Sequence, residues 1–264
     1  MTFLIPLTLI ALLFFCSEIE RYRRKARFLS WYNLKKNPKS LISPINVLYG
    51  LISPNKPFLP LNVFPSHNML AANFSLIQQE VHALLKQKFK LKDFGEIEKY
   101  SRKLAKEGWK SFFIKCYRDI LPAAEIQLPK TAALIKQCPE INLAMLSIFE
   151  PGATIKPHYG PSKLCYRYHL CLFCCATHNA FINVDGQNYF WREGEAILFD
   201  DTYRHFAANP TQQLRVVLFC DIDRKLPFPF NYFNKLVIKL IGKTKAIKRM
   251  NLAANAFYHA EETS

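Results

Sequence analysis

The sequence predicts a mainly β fold with flanking helices, a double-sheet jelly roll, headed by an apolar anchor helix. Three observations carry this. From residue 141 onward the chain breaks into short runs rich in β-branched and aromatic residues: INLAMLSIF, YRYHLCLFCC, AFINV, NYFWR, EAILFD and LRVVLFCDI. Turn signals separate them at Pro151-Gly152, Gly160-Pro161, Asp185-Gly186, Glu193-Gly194 and Asn209-Pro210. Strands this short and this regularly punctuated suit two packed sheets better than one open parallel sheet. The third observation lies at the head of the chain, where residues 3–16, FLIPLTLIALLFFC, are almost wholly apolar.

That leading segment reads as a membrane anchor, with a buried N-terminal helix as the plain alternative. As a helix it reaches roughly 21 Å against a hydrocarbon core of about 30 Å, so it spans a thin bilayer or inserts partly. No basic residue precedes the run and no small-x-small site closes it, which argues against a cleaved signal peptide. Eight basic residues follow between Arg21 and Lys39. Positive charge on that side predicts that the body of the protein stays in the cytoplasm. Residues 1–18 are therefore expected to form the anchor and 19–66 a basic, Pro-rich connector. Residues 67–228 hold the β domain with its N-terminal helices, and 229–264 a basic amphipathic segment.

Within the connector, residues 40–66 contain five prolines and read as extended chain hugging the surface. Residues 69–90 place Leu76, Val81, Leu84 and Leu85 at helical spacing. A second, short helix is expected over 130–138, after Pro129, and a strand over 108–120. The tail, FNKLVIKLIGKTKAIKRM, sets Leu236, Val237, Leu240 and Ile241 against Lys235, Lys239 and Lys243. It reads as a helix lying in the membrane interface, or as one packed on the sheet with solvated lysines.

The formal net charge is +16, and both basic clusters adjoin apolar sequence. That placement suits an anionic membrane surface and argues against a nucleic-acid partner. The eight cysteines sit mostly in strand-like sequence, as buried thiols of a reducing compartment do. Cys171-Leu-Phe-Cys174 has no second such pair, which makes zinc or redox chemistry a weak reading. Nothing in the chain indicates an oligomeric state.

Candidate chemistry gathers at strand ends. His158 and His205 both stand beside turns, and imidazoles at the mouth of a β-barrel suit Fe(II). Taken singly, each also reads as an ordinary half-buried histidine. Arg215 sits inside the apolar run QLRVVLFCD, where a guanidinium needs an anionic partner. A dicarboxylate would satisfy it bidentately; an ion pair with Asp221 or Asp223 would serve structure alone. Arg167 and His169, two apart, share one strand face. Ser147 is an isolated hydroxyl among apolar neighbours.

The stretches SIFEPGATIKPHYGPS, YRYHLCL, NVDGQNYFWREGEAILFDDTYRHFAANP and LRVVLFCDI resemble the aspartyl/asparaginyl β-hydroxylase family, over residues 106–226. The resemblance implies a double-stranded β-helix, cupin-like, and a dioxygenase using Fe(II), 2-oxoglutarate and O2. It makes His158 and His205 the iron ligands. It gives the distal carboxylate of 2-oxoglutarate to Arg215 with Ser147, and the other end to Arg167 and His169. The apolar leader, the Pro-rich connector, WKSFFIKCY and LRVVLFCDIDRKLP resemble the bacterial lipid A 2-hydroxylase branch. That implies a hydroxyl placed on a fatty acyl chain of lipid A at the cytoplasmic face of the inner membrane.

One motif departs from this branch. Where His-x-Asp is expected, the chain reads His158-Tyr159-Gly160. Histidine, a variable residue and Gly-Pro resemble the peptide-hydroxylating branch, so peptidyl Asp/Asn or a small amino-acid-like molecule is the alternative substrate. A non-catalytic membrane-associated binding module on the same fold is the third reading. Asp200 and Asp201 are candidates to replace the missing carboxylate, or else end a strand and accept backbone hydrogen bonds.

Overall fold

The apolar runs of the C-terminal half become strands buried on both faces, because one face meets a second sheet and the other meets helices. The computed structural model describes residues 42–87, 92–93, 108–117, 119–175 and 179–256, with isolated positions 8, 11, 12 and 15. In chain order these form α1 (Ser43–Ile52), β1 (Phe58–Leu59), a 3-10 turn (Leu61–Val63), α2 (His67–Ala72) and α3 (Phe74–Lys86). Next come β2 (Lys92–Asp93), β3 (Trp109–Cys116), β4 (Asp119–Ile120), α4 (Pro122–Gln127) and α5 (Pro129–Lys136). The barrel follows as β5 (Ile141–Phe149), β6 (Thr154–His158), β7 (Cys165–Phe173), β8 (Phe181–Val184), β9 (Gln187–Phe190), β10 (Ala196–Phe199), β11 (His205–Ala208) and β12 (Arg215–Asp223). Two helices close the described chain, α6 (Phe230–Gly242) and α7 (Lys245–Ala256).

Among the described residues, all strand pairs are antiparallel. The larger sheet runs β1-β10-β7-β12-β5-β3-β2, with β4 on β3, and the smaller runs β6-β11-β8-β9. Strands β5 to β12 pass back and forth between the two sheets, the winding of a double-stranded β-helix. The hairpin between β8 and β9 turns on Asp185 and Gly186, both at positive φ (52° and 84°). A two-residue turn whose twist matches its strands requires that conformation, and Asp-Gly supplies it cheaply.

Helices α3, α4, α5 and α7 cover the outer face of the larger sheet. Glu80 of α3 fastens this layer, accepting from the Lys130 and Thr131 backbone N–H groups and from the Thr131 hydroxyl. Those amides open α5 and have no partner within it, so a carboxylate there satisfies donors and complements the helix dipole.

Three local expectations change. The helix expected over 69–90 is two helices meeting at Asn73, whose side-chain amide donates to the Met69 carbonyl at 2.9 Å and ends the first. Residues 88–90 lie outside the described set. Residues 40–66 are not simply extended: Pro44 stands in the first turn of α1, where its missing N–H costs nothing. Tyr49 on α1 is wholly buried, and Phe58 and Leu59 pair with Phe199 and Leu198 as the edge strand of the larger sheet. The tail forms α6 and α7, with Asn234 and Ile238 of α6 packed inward.

The apolar segment 3–16, apart from four positions, and the basic cluster 21–39 lie outside the described residues. Among the described residues, no helix is long and apolar enough to cross a membrane. The cysteines described, Cys116, Cys138, Cys165, Cys171, Cys174, Cys175 and Cys220, are free thiols.

Candidate active site

The inner face of the larger sheet follows from register. Arg215 lies opposite Phe149 and Val217 opposite Ser147, which puts Ser147, Phe149 and Arg215 on one face. Phe219 pairs with His169 and Asp221 with Arg167, so the same face continues through Arg167 and His169. Across from it, His158 at the end of β6 pairs directly with His205 at the start of β11. A sequence separation of 47 residues thus becomes one cross-strand pair, with ring centroids 4.1 Å apart.

Between the sheets lies a pocket that opens to solvent, with residues of both sheets in its wall. Its polar lining is Ser147, His158, Arg167, His169, His205 and Arg215, the full set singled out in the sequence. The rest is apolar, led by Trp109, Phe149, Trp191, Phe199 and Phe219, and no carboxylate among the described residues lines it.

Both strand-end histidines are oriented by backbone carbonyls. His158 Nδ1 lies 2.8 Å from the Lys156 oxygen, and His205 Nδ1 lies 2.9 Å from the Tyr203 oxygen. A carbonyl only accepts, so each Nδ1 carries the proton and each Nε2 keeps a lone pair. Burial, reinforced by the His205 charge, lowers the His158 pKa to about 3, and burial lowers that of His205 to about 4. Both rings are therefore neutral at neutral pH, the form that ligates a metal. Among the described residues, no three His, Cys, Asp or Glu side chains cluster to hold a metal ion. The donor set on offer is two imidazoles.

Arg215 is 3% exposed and has no carboxylate within ion-pair distance among the described residues. Its guanidinium stacks 3.8 Å from the centre of the Phe149 ring and 5.5 Å from that of Trp191. Burial lowers its pKa to about 9. The structural alternative raised from sequence fails here, since Asp221 pairs with Arg167 and Asp223 accepts from Asn142. Ser147 stands nearby on β5, its Oγ accepting from the Trp109 indole N–H at 3.0 Å. That hydrogen bond directs the Ser147 hydroxyl proton away from Trp109, free to serve another acceptor.

Arg167 and His169 share the cavity but differ in state. The Arg167 guanidinium is already held, its Nε by Asp221 at 3.1 Å and its Nη2 by Asp201 at 3.0 Å. His169 is buried with neither ring nitrogen hydrogen-bonded, and it packs against Trp191 and Phe219. Burial, then the charges of Arg215 and Arg167, press its pKa well below the ordinary value. A neutral ring must carry one N–H, so His169 brings an unused donor to the cavity wall.

Asp200 and Asp201 behave differently from each other. Asp200 is withdrawn into a buried ion cluster with Arg224 and Lys163, and also accepts from Thr202. Asp201 lies against Gly160: a Cβ built on that glycine would fall inside the Asp201 carboxylate. The Gly160 N–H also donates to the Asp201 carbonyl at 2.7 Å. Asp201 thus occupies the space in which a side chain at position 160 would begin. Sequence reasoning does not find Trp109, Trp191 or the Arg224 and Lys163 partners of Asp200, because their neighbours stand 24 to 38 residues away in the chain and meet only in the folded barrel.

Residues 71–225 match the family model described as aspartyl/asparaginyl beta-hydroxylase. A Rhizobium tropici protein, "Ornithine lipid ester-linked acyl 2-hydroxylase", is 31% identical over 77% of this chain and 73% of its own length. The "Aspartate beta-hydroxylase domain-containing protein 2" of Xenopus tropicalis is 27% identical over 64% of this chain, and the match spans 47% of that relative. Among solved structures, a Pseudomonas putida prolyl-4-hydroxylase aligns with a TM-score of 0.39 and 13% identity, covering 58% of this chain and 88% of that one.

Proposed function

The chain belongs to the aspartyl/asparaginyl β-hydroxylase family, and from that premise we propose an Fe(II)- and 2-oxoglutarate-dependent hydroxylase acting on carbon 2 of a lipid acyl chain. The observation that carries the cosubstrate is Arg215. A buried guanidinium without a carboxylate is costly, and a cavity that keeps one is built for an anion arriving from outside. The distal carboxylate of 2-oxoglutarate fits it bidentately, with the Ser147 hydroxyl donating alongside. The aromatic walls exclude water and so strengthen that pairing.

His158 and His205 would hold the iron through Nε2, with the Lys156 and Tyr203 carbonyls fixing both tautomers. Iron held there would supply the activation of O2, one oxygen going into a C–H bond and the other into succinate as 2-oxoglutarate loses CO2. The residues around it supply placement. His169 donates its spare N–H to the cosubstrate's keto-acid end, and Arg167 offers the part of its fork that Asp201 and Asp221 leave open. The apolar walls keep the cavity dry while the reaction proceeds.

A lipid acyl chain is the favoured substrate because the rhizobial relative, matched over most of both chains, is named for that reaction. The branch motifs favour lipid A at the cytoplasmic face of the inner membrane; ornithine lipid is the comparison to run beside it. Peptidyl Asp or Asn has one observation on its side, the Gly160 that makes room for Asp201.

Mass spectrometry of lipids from cells with and without the protein tests the reading. Gain of one oxygen on an acyl chain at carbon 2 supports it, and the headgroup carrying that chain identifies the lipid. Unchanged lipids together with iron-dependent succinate formation on an Asp-containing peptide would transfer the assignment to the peptide.

A further inference from the structure

Helix α6 is apolar on two opposite sides. Inward, Asn234 and Ile238 are buried, and Ile238 belongs to a small core with Tyr49 of α1, Leu164 and Leu226. Outward, at steps of four, run Phe228 just before the helix, then Tyr232, Leu236 and Leu240, which are 80%, 66%, 52% and 55% exposed. Phe233 adds to this ridge at 44% exposed, and the Phe228 and Tyr232 rings meet edge to face at 6.1 Å. Residues four apart stack along one helix face, so the row is a continuous ridge rather than scattered exposure.

A second ridge lies beside it. Lys235, Lys239 and Lys243, again four apart, are all exposed. From Arg224 to Ala260 the sequence holds eight Lys or Arg residues and no Asp or Glu. An apolar ridge with aromatic rings flanked by lysines is the pattern of a helix lying in a lipid headgroup layer. Pairing with a second copy would bring two lysine ridges together in a chain of net charge +16, a repulsive arrangement.

We infer that the outward face of α6, with Phe228, is a docking surface for an anionic lipid bilayer. The aromatic and leucine side chains enter the acyl boundary, and Lys235, Lys239 and Lys243 meet lipid phosphates. The surface requires neither iron nor 2-oxoglutarate, so it stands or falls separately from the chemistry proposed above.

The test places a reporter on the ridge of the full-length protein. Of the three tryptophans, Trp109 and Trp191 are buried and Trp31 lies in the basic connector of the sequence, so Leu236→Trp is introduced together with Trp31→Phe and read against the Trp31→Phe background as a local signal. Phosphatidylcholine vesicles with and without phosphatidylglycerol, carrying brominated acyl chains, are the probe. The expected result is a blue shift and quenching of the added tryptophan with the anionic vesicles. Triple replacement of Lys235, Lys239 and Lys243 by Glu should abolish it, even if the chain stays vesicle-bound through its apolar leader. Emission that remains water-like with anionic vesicles overturns the inference. So does a blue shift without lipid that grows with protein concentration, which would make a second copy the occupant.

Discussion

Arg215 opens β12 and Arg224 directly follows its last residue, both almost wholly buried, and their surroundings differ in one respect. Arg224 is compensated. Its Nη2 pairs with Asp200 at 2.6 Å, its Nε donates to the Lys163 carbonyl, its Nη1 donates to the Ser53 hydroxyl, and it stacks on Tyr166. Lys163 joins the same carboxylate at 3.0 Å, while Asn46 accepts from the Lys163 backbone N–H. This cluster ties α1 and the segment after it to the end of the barrel. Arg215 meets two aromatic faces and, among the described residues, no acid. A buried charge paired within the fold is accounted for by its neighbours; one with no acid beside it among the described residues has its charge open to an anionic ligand, the reading proposed for Arg215.

That contrast can be broken most directly at Arg224. Arg224→Met removes half of a buried pair and should cost about 3–5 kcal/mol in urea unfolding. A loss below about 1 kcal/mol would show that Asp200 and Lys163 suffice alone. Arg215→Met should do the reverse. Stability should hold or rise, while the KM for 2-oxoglutarate rises roughly 100-fold, equivalent to about 3 kcal/mol of lost anion binding. Unchanged cosubstrate dependence would remove Arg215 from the site.

Acid titration sharpens the structural half. Burial alone would raise the Asp200 pKa, but Arg224 and Lys163 outweigh it and hold the carboxyl at about 2, below its ordinary value. A depressed carboxylate stabilises the fold fully above its unfolded pKa of about 3.9 and loses that contribution as pH falls through the folded value. Between about pH 4 and pH 2, unfolding should therefore lose on the order of 2 kcal/mol, and Asp200→Asn should flatten that limb.

Two smaller effects probe the ligand half. Gly160→Ala drives a methyl into the Asp201 carboxylate and should cost about 1–3 kcal/mol in thermal melting. Combining it with Asp201→Ala should cost less than the sum, since the two changes share one space. Trp109→Phe deletes one hydrogen bond to Ser147, worth about 1 kcal/mol, and should raise the KM for 2-oxoglutarate roughly fivefold without altering Arg215.

Much of the candidate site is legible in the sequence. His158, His205, Arg215, Ser147, Arg167 and His169 all line one cavity, and each stands out for a local reason: a polar residue inside apolar sequence, or a histidine beside a turn. What local pattern does not carry is the charge state of each neighbourhood. Arg167 and Arg215 look alike in sequence, yet one is engaged by two aspartates and the other, among the described residues, by none. Asp221 is a plausible partner for Arg215 because both lie in one run, but six residues of extended strand carry it to Arg167 on β7 instead.

By itself the sequence determined the strand-rich barrel, since short apolar runs between turn residues have few other ways to bury both faces. It also determined the two histidines and the basic, apolar character of the tail. Only the tertiary structure decided which charges are spent on the fold and which remain for a ligand. It decided that Gly160 yields its space to Asp201, and that α6 turns a second apolar ridge outward. The physical reason is range. Periodicity and turn chemistry act over a few residues, whereas ion pairing and steric exclusion act between side chains that only sheet register brings together.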